Sequence, residues 1–412
     1  MDAHSLTALL ATSETLEREL VSLLIIGLVA ASVPLVVGLL RLRVAEVVLL
    51  LGFGILLGPN VLGLIEIDES VQLMNELGLG LLFFLAGYEL EQSTIRGRSG
   101  RLAASGWVVS LVIALVVVWG LWELGVVNDL VGIAIALTTT AMGTLLPVVR
   151  DRGQLSTPFG QFFMGGGAAG EFGPILAIAL LLGSKSMWIT ILVLAVFAVL
   201  AYLVWRAPGH LMSTRVRELM DRSHHTSSQT AVRWTVVLLL FLLTIAASFG
   251  FDAVLGAFVA GVILRRYSPP DAGNRLLPKV EAIGFGFFIP LFFIVSGANL
   301  DIASIAKNPL RLLLFFALLL LVRGLPQYVL YRYALPDTRE RWQFSLYIAT
   351  GLPLLVAITT IQVGAGVMLP ENAAALVGAG ALSVLVFPLL GDRINPRRET
   401  AAQDEVEAEP AR

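Results

Sequence analysis

Cysteine is absent from the 412-residue chain, which excludes disulfides, iron–sulfur clusters and thiolate metal sites. Histidine is scarce: there are four, and two of them, His224 and His225, adjoin in a polar stretch best read as a solvated loop. No convincing zinc set follows from them. The amino terminus carries Glu14, Glu17 and Glu19 and lacks the basic flank and small-residue cleavage site of a signal peptide. Charged residues make up only 14% of the chain, and the net charge of −2 says little beside its distribution. No nucleophile–base pair stands at a plausible depth, so neither an enzyme nor a cofactor is expected, and no nucleic-acid partner either.

Apolar sequence is what the chain has in abundance. At 57% hydrophobic and a mean hydropathy of +0.85, it reads as an all-α polytopic membrane protein with the lipid bilayer as its solvent. Runs of spanning length lie near residues 21–40, 44–64, 71–90, 102–125, 130–149, 160–182, 187–205, 234–249, 253–266, 283–298, 309–331, 344–363 and 373–390, about 13 in all. Residues 1–390 form a single membrane domain on this reading. Its first half is about 21–182, a linking helix occupies 187–205, a polar connection 206–233, and its second half is about 234–390. Residues 391–412 read as a short, polar, disordered tail.

Basic residues orient these spans. With the amino terminus outside, 23 Lys and Arg fall on inward connections and the tail, against four (Arg18, Lys185, Lys307 and Arg311) outside. That asymmetry predicts an N-out, C-in topology in the plasma membrane, the inner membrane of the cell, with a cytoplasmic carboxy terminus. One basic residue is left over: Arg323, inside LLLFFALLLLVRGLP.

The acid that stands out is Glu171, within GGGAAGEFGPILAIALLL at residues 165–182. A carboxylate at membrane depth costs about 2.5–3.5 kcal/mol on insertion scales, so it is read as functional: a proton- and cation-binding group. Glu46, Glu89, Glu91, Glu123 and Asp252 lie near expected helix ends, and Asp301 is read as a cap or turn residue.

The halves resemble each other. LGLGLLFFLAGYELE, from Leu77, matches IGFGFFIPLFFIVSGANLD, from Ile283, and LGFGILLGP, from Leu51, echoes LGAFVAGVIL, from Leu255. At a similar offset LTTTAMGTLLP, from Leu137, falls opposite ATGLPLLVAITT, from Ala349. Six helices, a linking helix and six more make an inverted repeat, as in secondary transporters with broken helices at the midplane. Thr138, Thr139, Thr140 and Gly143 in one segment, and Gly351 and Pro353 in the other, supply hydroxyls and breakable backbone for two crossing helices.

GILLGPNVLGLI, LGLGLLFFLAGYELE, LGAFVAGVILRR and FFIPLFFIVSGANLD together resemble the monovalent cation:proton antiporter family of the sodium/proton exchanger fold, in its Kef-like bacterial branch. The resemblance covers about residues 20–390. It implies a homodimer of 13-helix protomers, with a core of helices 4–6 and 11–13 moving like an elevator against a dimerising panel. The family's sixth helix carries two acidic or amide residues, the second an essential aspartate. Here they match Gly170 and Glu171, so the first acid is missing and Glu replaces Asp. The family's basic residue on the eleventh helix matches Arg323.

These readings converge on a secondary Na⁺ or K⁺/proton antiporter, with one-for-one, electroneutral exchange. H⁺ and the cation compete for Glu171; Thr139 and Thr140 complete a transient cation shell, and Arg323 is the core charge partner. Arg323 cannot itself carry a proton. One alternative is a Kef-type potassium efflux subunit, whose Gly-rich nucleotide-binding fingerprint is not expected in the 22 residues after Leu390. Another is a non-transporting sensor or accessory protein on the same fold.

Overall fold

The computed structural model describes residues 3–40, 45–89, 97–181, 199, 229–248, 253–267 and 270–395. Apart from residue 199, the linking helix at 187–205 lies outside them, as do the loop histidines and the tail beyond 395. Every regular element among the described residues is helical. In chain order they are α1 (Ala3–Leu40), α2 (Glu46–Leu57), α3 (Glu69–Glu89), α4 (Arg98–Glu123), α5 (Leu130–Ala136), α6 (Met142–Asp151) and α7 (Pro158–Leu181). After the undescribed stretch come α8 (Thr230–Ser248), α9 (Ala253–Tyr267), α10 (Pro270–Ile283), α11 (Ile289–Ala298), α12 (Ile302–Lys307) and α13 (Pro309–Leu318). The chain closes with α14 (Leu325–Leu330), α15 (Thr338–Ile348), α16 (Pro353–Gly364) and α17 (Pro370–Ile394). Among the described residues, eight helical runs are long and apolar enough to cross a bilayer, while α2 and α9 are shorter apolar helices.

Proline and aspartate punctuate these rods. A π-helical turn, Gly284–Phe288, joins α10 to α11, and a second, Leu319–Gly324, joins α13 to α14. Pro290 and Pro326 each follow a π turn after one intervening residue, and each lacks the N–H that would close an ordinary turn. The second π turn contains Arg323. Asp301 caps α12, accepting from the Ser304 amide at 3.0 Å. The Ser304 hydroxyl and amide together hold its carboxyl below the usual carboxylate range. Asp129 caps α5, accepting from the Gly132 amide at 2.7 Å, and is 3% exposed. Asp129→Ala removes that acceptor from a buried helix start, so a loss of about 1–2 kcal/mol is expected. Thermal unfolding of the detergent-solubilised protein checks it.

Two packing groups divide the bundle. In one, α2 lies against α11 and α3 against α9, with α8 behind α9. These contacts are backbone-close: a Cβ on Gly54 would meet the Ile294 carbonyl at 2.0 Å, and one on Gly261 the Phe84 carbonyl at 2.0 Å. The two echoing sequence pairs are thus exchanged partners, since each motif packs on the counterpart of its own neighbour. In the other group α4 packs on α7, α5 on α16, α15 on α17 and α13 on α17. A joint between the groups is α7 against α9, where the rings of Phe172 and Phe258 lie 5.3 Å apart.

Candidate functional site: a crossing of two broken helices

The helix that starts at Leu130 stops after Ala136 and resumes at Met142. Local chemistry explains the stop. The hydroxyls of Thr138 and Thr139 turn back on the carbonyls of Ile135 and Ala136, each at 2.8 Å, and so compete with continued helix. The helix that ends at Ile348 resumes at Pro353. Pro353 has no N–H and disfavours helical geometry before it, and Leu352 accordingly sits at φ −143°, ψ −58°.

The breaks meet and satisfy each other. The Ala141 amide donates to the Thr350 carbonyl at 2.6 Å, and the Thr140 hydroxyl donates to the Ile348 carbonyl at 2.8 Å. Gly351 presses against Thr139, whose Oγ1 lies 2.7 Å from where a Cβ would stand. The Gly351 amide donates to the Ser383 hydroxyl of α17 at 3.2 Å. Thr138, Thr139, Thr140 and Gly351 are all buried, Pro353 is half-buried at the start of α16, and Gly143 is exposed in the first turn of α6.

Helix α7 completes the crossing through a missing donor. Pro174 has no N–H for the carbonyl four residues earlier, which belongs to Gly170. The Thr140 amide, freed by the break, donates to that carbonyl at 3.1 Å. The run of glycines before Glu171 then admits three neighbours. Cβ atoms on Gly165, Gly166 and Gly167 would meet Ser99 of α4 at 2.6 Å, Ile348 of α15 at 2.9 Å and Met142 of α6 at 2.8 Å.

This packing sets Glu171, half-buried, at the start of α6, where its Oε1 accepts from the Met142 amide at 3.1 Å. A helix amino terminus presents unpaired N–H groups and the positive end of its dipole, both of which favour a carboxylate. Arg323 approaches from the π turn and is only 1% exposed. Its Nε donates to the Thr140 hydroxyl at 3.1 Å and its Nη2 to the Gly166 carbonyl at 3.0 Å. Nη1 has no hydrogen-bond partner among the described residues. The guanidinium therefore ends inside the crossing and does not run out along the helix to an interface.

Residues 27–392 match the family model described as "Sodium/hydrogen exchanger, transmembrane". The chain belongs to the sodium/hydrogen exchanger family. YjbQ of Bacillus subtilis, which carries the name of a sodium/proton antiporter, is 23% identical over 92% of this chain and 63% of its own length. The glutathione-regulated potassium-efflux system protein KefC of Salmonella schwarzengrund is 26% identical over 99% of this chain and 63% of its own length. The chain thus spans a little under two thirds of these relatives. The sodium proton antiporter MjNhaP1 from Methanocaldococcus jannaschii shares the fold, with a TM-score of 0.60 and 15% identity over 92% of this chain and 98% of that one.

The departure that the resemblance implied at Gly170 has a steric setting in the structure. A Cβ there would lie 2.2 Å from Thr140 Oγ1 and 2.6 Å from Arg323 Nη2. The space in which a first acid would begin is filled by the guanidinium and its hydroxyl partner. Gly170→Ala is therefore expected to cost about 1–3 kcal/mol by overpacking. A lowered thermal midpoint in detergent, with Gly143→Ala at an open position as control, measures that cost.

Sequence reasoning singled out Glu171, Arg323, the threonines and Gly351, and the structure brings all of them to one crossing. It did not find the Met142 amide, the Gly166 carbonyl or the pairing of Gly170 with Thr140. The last carried a signal: counting four residues back from Pro174 lands on Gly170.

Proposed function

We propose that this exchanger-family chain is a secondary antiporter moving one monovalent cation against one proton, with Glu171 as the exchange group. The observation that carries the reading is Glu171 on the amino terminus of α6, at the crossing of two broken helices. A carboxylate there binds either a proton or a hard cation. Both loaded forms carry the same charge, and the empty carboxylate resists passage through the bilayer. Mutual exclusion on one acid is sufficient for coupled exchange.

Neutral oxygens complete the cation shell. Thr139 Oγ1 donates to Ala136 and keeps both lone pairs. Thr140 Oγ1, which donates to Ile348 and accepts from Arg323, has one left. A cation near Thr140 also meets the guanidinium's repulsion, so Thr139 is assigned the larger share. Single-acid chemistry at Gly170–Glu171 supports one-for-one, electroneutral stoichiometry. The two packing groups, joined at α7 and α9, support elevator-like movement of one against the other. The N-out, C-in orientation in the plasma membrane, the homodimer and the inverted repeat belong to the same reading. The likeness to KefC over nearly the whole chain favours potassium as one candidate cation beside sodium.

The test is cation-driven dissipation of an imposed ΔpH in liposomes bearing the protein, with Na⁺, K⁺ and Li⁺ added in turn. Collapse with one cation names the substrate, and a rate indifferent to an imposed membrane potential establishes electroneutrality. Silence with every cation across pH 6–9 would overturn the transport reading and favour a sensor role.

A further inference from the structure

A second polar cluster lies away from Glu171, where α6, α15 and α17 converge. Arg152, the residue closing α6, pairs through Nη1 with Asp392 Oδ1 at 2.8 Å and donates from Nη2 to the Asn395 carbonyl at 2.5 Å. The Tyr347 hydroxyl, on α15, donates to the same Asp392 oxygen. Gln343 donates to the Tyr347 hydroxyl at 3.1 Å and accepts from Asn395 Nδ2 at 2.7 Å. Tyr347 is wholly buried, with Phe159 and Phe163 of α7 edge-on at 6.0 and 6.2 Å. Arg152 and Asp392 keep 13% and 35% of their side chains exposed.

Each of the three rods that meet here also ends on, or passes through, the crossing. Helix α6 runs from Met142, whose amide holds Glu171, to Asp151, with Arg152 as its carboxy-terminal cap residue. Tyr347 of α15 immediately precedes Ile348, whose carbonyl takes the Thr140 hydroxyl. Helix α17 holds Gly351 through Ser383 and carries Asp392 about two and a half turns further on. The helical stretches between clasp and crossing are only a few turns long, so a shift at one end is carried to the other, even though Pro147 of α6 and Pro388 of α17 each leave one backbone bond unmade.

We propose that Arg152, Tyr347 and Asp392 are positioning residues for transport: a clasp that sets the register of α6, α15 and α17, and thereby the placing of the Met142 amide and Thr140 around Glu171. The proposal rests on the antiporter reading above. With the clasp intact, the cation site is pre-formed. With it broken, the rods adopt several registers and the cation must select one, so apparent affinity falls while the exchange chemistry of Glu171 is unchanged.

Tyr347→Phe is the cleanest probe, since it keeps the ring packing and deletes only the hydroxyl. In liposomes, with the cation titrated at fixed ΔpH, the half-saturating cation concentration is expected to rise about tenfold, as befits loss of a hydrogen bond to a charged group. The maximal rate is expected to stay within about twofold of wild type. Asp392→Asn is expected to move the same parameter in the same direction, and Asp392→Glu to restore it. An unchanged half-saturation in both Tyr347→Phe and Asp392→Asn overturns the clasp. So does a fall in maximal rate alone, which marks a folding defect. Those results leave the antiporter reading standing if wild type exchanges in the same liposomes; a silent wild type overturns both.

Discussion

Liposomes bearing Glu171→Gln are expected to hold an imposed ΔpH when the cation is added, as protein-free liposomes do. The substitution separates shape from charge. Glutamine is nearly isosteric with glutamate, and its carbonyl oxygen accepts from the Met142 amide as the carboxylate does at 3.1 Å. The start of α6 and the glycine-lined approach of α7 therefore survive, and the variant should fold with a thermal midpoint near that of wild type. What it loses is titration and charge. An amide takes up no proton near neutral pH and does not offset a cation's charge in a low-dielectric crossing. Exchange should thus fall to background and not by a modest factor. Residual cation-driven proton movement above background would place the exchange group elsewhere.

Arg323→Met should act differently, moving the pH profile of exchange instead of abolishing it at every pH. The guanidinium lies against Gly170, the residue before Glu171, and one of its nitrogens has no hydrogen-bond partner among the described residues. Opposite charges attract more strongly in a low-dielectric interior than in water. Removing a positive neighbour favours the protonated form of Glu171, so exchange shifts toward alkaline conditions. Arg323→Lys keeps the charge and should leave the profile nearly in place. It lacks the planar fork that reaches Thr140 and the Gly166 carbonyl together, so its loss should appear in thermal stability. Rates measured from pH 6 to 9 for the three proteins decide it; coincident profiles for Arg323→Met and wild type would exclude electrostatic control by this residue.

How much of this site could be read from the chain depended on contrast. Glu171 and Arg323 were legible because an ionised group inside an apolar run has few bland explanations. The breaks were legible because three threonines in a row and a glycine two residues before a proline each disfavour continuous helix by a local mechanism. Family membership was legible because several glycine-spaced motifs occur in one order. Arg152 was counted only as a loop charge orienting the bundle, and Tyr347 and Asp392 attracted no notice. Their meaning lies in a meeting of residues about 45 to 240 positions apart, and no local pattern encodes such a meeting. Helix length was also misjudged where polarity masked it: α15 begins at Thr338, whereas hydropathy alone starts the segment at 344. Asp337 there supplies the cap, accepting from the Arg339 amide at 2.8 Å.

The transfer of one hydrogen bond from Pro174 to Thr140 also determines where the bundle is stiff and where it is slippery. Sliding α7 along the crossing would strand the Gly170 carbonyl and the Thr140 amide together, away from water, at a cost of several kcal/mol for each. No comparable toll applies where Phe172 meets Phe258, since apolar rings tilted against each other lose little over a displacement that keeps them in contact. The molecule thus has a keyed surface on one side of α7 and a bearing surface on the other. On the proposed elevator mechanism, motion carrying Glu171 from one face of the membrane to the other would be taken up at the bearing, with the carboxylate and its hydrogen-bonded surroundings travelling as cargo in a single crate.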